Sequence, residues 1–294
     1  MVRHSGSHRV QHWVQHGVQH RVQHWVRHWV HQVGMNVVQN MNMVHLRVVP
    51  DDRRQRARDA KRQRILEAAG EVIDREGLAG LTMQAVADQI DCAVGTLYTA
   101  YESKAALLVA LEADAVGRLE ESYLTARAEW EAPLGEEDLD DDLLAIVHLL
   151  AYGGFVAAAS VVFHDEVALV RHLLGEAEAR TPAVDRTAGR EMAPVVHRLL
   201  DPPVARLGDA VAVGAIGAAD GLARAATWLA ALLGVLRLER LAAVDRHLFR
   251  AAVLGRGLTE SLVVGWGADR EAVDVAAGVV ERLAARGPLA PPPG

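Results

Sequence analysis

Five histidines, His12, His16, His20, His24 and His28, recur four residues apart in a VQHW-like repeat across residues 10–30. On a helix this spacing lines imidazoles along one face, where a pair at i and i+4 can chelate zinc or nickel. The unit is short and monotonous enough to count as low complexity. Two other readings stay open beside metal binding: a disordered tract, or upstream sequence ahead of a later start at Met35, Met41 or Met43. Residues 1–50 are therefore set outside the fold, and no metal or cofactor is assigned. A second cluster follows directly, in which Arg53, Arg54, Arg56, Arg58, Lys61, Arg62 and Arg64 face only Asp51, Asp52 and Asp59.

Catalytic spacings are missing from the sequence. It contains no G-x-S-x-G, H-E-x-x-H or P-loop, and Gly255-Arg256-Gly257 lacks the third glycine and the preceding strand of a dinucleotide fingerprint, so an enzyme is not expected. The single cysteine, Cys92, excludes an intramolecular disulfide and a cysteine-based zinc site, which fits a reducing, cytoplasmic setting. The net charge of −7 conceals a split. Residues 1–50 hold five Arg and no acid, residues 51–104 are nearly balanced, and residues 105–294 hold 17 basic and 28 acidic side chains. A basic arm precedes an acidic body.

The elements that position these groups are helices. With 51% hydrophobic but only 4% aromatic residues, the core must be built from Ala, Val and Leu. Ile65, Ala69, Val72 and Ile73 recur along one helical face, and Gly77 stops that helix. Thr82 is an N-cap for a second helix of two turns, marked by Met83, Val86, Ala87 and Ile90. Asp91-Cys92-Ala93 makes a tight break before a third short helix over residues 94–101, in which Leu97 and Tyr101 share a face. After Glu102-Ser103-Lys104 a long helix carries Leu107, Leu108 and Leu111 inward. Two short helices about a tight turn, braced by longer ones, form a helix-turn-helix.

The stretch TMQAVADQIDCAVGTLYTAYESKAALLVAL closely resembles the DNA-binding region of the tetracycline-repressor (TetR/AcrR) family of bacterial transcription regulators. The likeness covers residues 59–104, including ILEAAGEVIDREG, the Gly95-Thr96-Leu97-Tyr98 core and Lys104. It implies an all-α protein: an N-terminal three-helix DNA-binding domain at 51–104 and a larger helical effector-binding and dimerisation domain at 105–286. The Pro-rich residues 287–294 are expected to form a disordered tail. The resemblance further implies phosphate contacts from Thr82, Tyr98 and Lys104, with Val94, Gly95, Thr96 and Thr99 nearest the major groove. Hydroxyls, ammonium groups and helix N-termini suit phosphate oxygens. Two positions depart from the family: Asp91 stands where Gly is usual, and Ala93 stands where Ser would cap the recognition helix. That helix offers no Arg, Lys, Asn or Gln for bidentate base reading. Sequence reading then falls to methyl contacts from Ala93, Val94 and Thr96, to DNA shape, and to the arm from Arg53 to Arg58 in the minor groove.

Within the body, residues 143–163 carry no Asp, Glu, Lys or Arg and are long enough to cross a bilayer. His148, Ser160, Gly153-Gly154 and the acidic flanks favour a buried central helix instead, and no membrane partner is expected. The resemblance implies operator DNA, a second copy of the chain and a small-molecule effector as partners. Scarce aromatic and polar-tipped residues mark the candidate effector pocket: Trp130, His148, Tyr152, Phe155, Phe163, His172, Met192 and Trp228. The expected function is a dimeric regulator, a repressor released by its effector. The alternative is a helical metal-binding or membrane-associated protein.

Overall fold

The computed structural model describes residues 52–176 and 186–292, and among them every regular element is helical. The histidine repeat and the three methionines behind it lie outside the described residues. The order is α1 (Asp52–Gly80), α2 (Met83–Gln89), α3 (Val94–Tyr98), α4 (Lys104–Gly135), α5 (Asp141–Val162), α6 (His164–Arg171), a π-helical turn (His172–Glu176), α7 (Arg186–Ala212), α8 (Gly221–Leu236), a 3-10 helix (Arg237–Ala243), α9 (Ala251–Gly265) and α10 (Arg270–Arg286). The expected basic arm is thus already helical from Asp52. Its Arg, Gln, Ala and Lys are good helix formers, and Gln55 donates to Asp59 one turn on, at 3.0 Å.

Gly77 breaks the helical path of α1 at φ 73°, a left-handed value that glycine adopts without a Cβ clash. Downstream, Thr82 caps α2 by accepting from Ala85 N at 3.0 Å. Asp91 holds the turn at φ 51°, and Ala93 leads into α3 without a side-chain cap. The recognition helix ends at Tyr98, three residues earlier than its apolar spacing predicts, because Ala100 and Tyr101 both turn back to the Leu97 carbonyl. Tyr101 nonetheless remains buried. Ile65, Ala69, Val72, Leu81, Met83, Val86, Ala87, Leu97, Leu107 and Leu111 close one apolar core, which Leu169 of α6 joins.

A second core occupies the body, with α5 at its centre against α7, α8, α9 and α10. Asp140 caps α5 by accepting from Leu143 N, and Asp141 and Asp142 complement the helix dipole. By length and composition α5 is the one described helix able to cross a membrane, yet 67% of its most apolar stretch is buried by its neighbours. The residues after α10 differ from the expected loose tail. Leu289 packs against the core, Ala290 is fully buried, and Ser122 of α4 donates to the Pro291 carbonyl at 2.8 Å. Gly154 makes the space for this, since a Cβ there would lie 2.8 Å from the Leu289 side chain.

Candidate nucleic-acid interface and body cavity

Leu97 is completely buried and Tyr101 is 6% exposed, so the inner face of α3 is fixed by packing. Burying a leucine contributes about 1.5–3 kcal/mol, a large share of what holds so short a helix. Its outer face is open: Ala93, Gly95 and Thr99 are exposed, Val94 and Thr96 are half-buried, and Tyr98 is 50% exposed. Thr82 and Lys104 are exposed as well. The Thr82 oxygen accepts the capping bond, which leaves its hydroxyl hydrogen for an outside acceptor. Lys104 opens α4, capped by Ser103, which accepts from Ala106 N at 3.0 Å. Arg58 is exposed on α1.

Two residues that the sequence marked only as basic act on α3 directly. Lys61 Nζ donates to the Thr96 carbonyl at 3.2 Å and to the Thr99 hydroxyl at 2.9 Å. The Thr99 hydroxyl itself donates to the Thr96 carbonyl at 2.7 Å, so it is held inward. Arg62 donates to the Ala100 carbonyl at 3.0 Å, with its guanidinium carbon 5.3 Å from the Tyr101 ring centroid. Both cations sit at the C-terminal end of the recognition helix, where its dipole and unpaired carbonyls favour positive charge. Neither could be found by spacing, since the partners are 35 to 38 residues away.

The body residues proposed for a pocket divide. Tyr152 and Phe155 line a cavity of about 50 Å³ between α4, α5, α6, α7 and α8. Trp130, Phe163 and Trp228 are buried in the body core and do not line this cavity. Ring contacts run from Trp130 through Tyr123, Tyr152 and Trp228 to Trp266, with centroids 5.2 to 6.2 Å apart. His172 does not line this cavity and bonds Glu112 at 2.8 Å. Burial pushes the Glu112 carboxyl above its ordinary range, and the His172 bond opposes that shift. His148 is half-buried, and burial, followed by the nearby Arg206 charge, holds its imidazole below the usual value. Met192 is half-buried against the body core. Tyr123, Leu229, Glu120 and Arg198 line the cavity without having been marked by the sequence.

Residues 65–111, which hold the core side chains of this helix-turn-helix, match the profile of bacterial regulatory proteins, tetR family. The chain carries a tetR-family DNA-binding domain. The chain is also similar to the HTH-type transcriptional repressor KstR of Mycobacterium tuberculosis (strain ATCC 25618 / H37Rv), at 40% identity over 79 residues. That match covers 27% of this chain and 34% of KstR, so it spans about a third of the repressor's length. A protein of unknown function from Rhodococcus sp. RHA1 shares the fold at TM-score 0.51 and 18% identity, over 70% of this chain and 94% of that one. The fatty acid degradation regulator FadR from Bacillus halodurans aligns at TM-score 0.47 and 16% identity, over 69% and 98% of the two chains. The Rhodococcus likeness takes the shared helical fold beyond the tetR-family domain into the body.

Proposed function

We propose that the chain is a dimeric transcription regulator, a repressor that leaves its operator when a small molecule enters the body. In this reading residues 51–104 bind DNA, residues 105–286 bind effector and a second copy, and the protein works in the cytoplasm. The observation that carries it is the recognition helix: Leu97 and Tyr101 are locked into the core, while Tyr98, Thr82 and Lys104 present two hydroxyls and an ammonium outward. Such groups fix a protein on phosphates without reading bases. Dimerisation follows from size, because a five-residue helix buries little surface and a two-fold pair reads two half-sites.

The test uses duplexes selected by the protein from random DNA, followed by affinity measurements on good and poor members. Lys104→Ala and Tyr98→Phe should weaken both classes alike, whereas Thr96→Ala should alter the ranking. Lys104→Ala should also flatten the slope of log K against log salt by about one to two units for the dimer. An unchanged slope in a folded variant removes Lys104 from the interface.

A further inference from the structure

We infer that the effector has an apolar tail and an anionic head, with the tail in the α4–α8 cavity and the head on Arg198 at its mouth. This rests on the effector reading proposed above. The cavity wall is almost wholly apolar, from Val116, Tyr123, Phe155 and Val167 to Leu229, and its charged lining residues are Glu120 and Arg198. A polar molecule entering this space would lose its hydration without replacement.

The two charged groups have different roles. Arg198 spends its Nε–H on Glu120 of α4, and among the described residues its Nη groups donate to no further protein acceptor. A carboxylate on Nε leaves the Nη edge of the fork free and oriented, and that edge suits a carboxylate or phosphate. Gly117 makes room for it on α4, since a Cβ there would lie 3.2 Å from Arg198 Nη1. Beyond the guanidinium, an open groove of about 830 Å³ along α4 leaves space for the head group outside the apolar chamber; its charged lining is Asp114, Arg118, Glu120, Glu121 and Arg198, so an anion there binds Arg198 against the neighbouring carboxylates. An anion there keeps the Glu120–Arg198 pair intact. A cation would instead pair with a groove carboxylate and lie against the like charge of Arg198.

The cavity also has a yielding wall. Pro202 and Pro203 lie inside α7 and supply no N–H, so the carbonyls of Arg198 and Leu199 lose their helical donors. Arg198, Leu199 and Pro202 all line the cavity. The present 50 Å³ is smaller than a typical ligand site, and this weakened turn is where α7 gives way to admit a tail.

The experiment measures binding of decanoate, decyl phosphate, 1-decanol and decyltrimethylammonium to the full chain by equilibrium dialysis, each below its micellar concentration. Either anion should bind at least about tenfold more tightly than the alcohol and the cation. Arg198→Gln should erase that advantage while leaving the alcohol unchanged, and Arg198→Lys should keep part of it. Preference for the cation, no binding by any of the four, or an anion affinity indifferent to Arg198→Gln overturns the assignment. The regulatory reading fails separately: an anion that binds through Arg198 without changing operator affinity leaves the head-group assignment standing and removes the effector role. A cation that releases DNA does the reverse.

Discussion

Ala93 stands at the N-cap of the recognition helix with no side-chain hydrogen bond to offer. A hydroxyl there would accept one of the orphan N–H groups of α3, so Ala93→Ser is expected to stabilise the protein by about 0.5–1 kcal/mol. Urea unfolding would check this: a midpoint unchanged or lowered removes the missing cap as a weakness. His148 gives a residue-level dependence on pH. Its folded pKa lies below the ordinary 6.5, so the unfolded chain takes up a proton that the fold resists. Stability therefore falls as pH drops through that value. His148→Gln should flatten the fall between about pH 7.5 and about pH 5.5, seen as urea midpoints that converge for the variant but not for the parent.

At the scale of elements, α3 is stabilised from outside itself. A five-residue helix has few internal bonds, and Lys61 and Arg62 of α1 supply what its C-terminal end lacks. Lys61→Met is expected to cost about 1 kcal/mol and to blur discrimination between good and poor operators, with the salt slope unchanged because its ammonium is engaged by α3. Operator selectivity and salt slope measured together separate this from Lys104→Ala. Legibility in the sequence followed the same boundary. Thr82, Asp91, Leu97 and Tyr101 act within a few residues of themselves, so cap, turn and periodicity rules reach them. The Lys61–Thr96 bond, the Glu120–Arg198 pair and the seating of Leu289 over Gly154 join residues far apart in the chain, and no local pattern encodes them. The aromatic residues were legible as important but not as pocket or core. A helix shows which face is apolar, whereas the packing of several helices decides whether that face meets a void.

On the whole-molecule scale, regulation needs an effector that distinguishes two conformations of the protein. A coupling of about 1–3 kcal/mol would suffice, and linkage makes it reciprocal. Operator DNA should then weaken effector binding by the same factor as effector weakens operator binding, measured by titrating each in the presence and absence of the other. Equal effector affinity for free and DNA-bound protein would exclude release by this route. The return of Leu289, Ala290 and Pro291 onto α4 and α5 bears on a different matter, the handling of the gene. Written as letters, residues 288–294 look dispensable, a short run of proline and alanine past α10. A nonsense mutation at position 288 would nonetheless uncover Gly154 and leave the Ser122 hydroxyl without its acceptor, and a fusion joined there would replace a structural plug with a tether. Alleles and tagged versions altered in this stretch belong with core mutants.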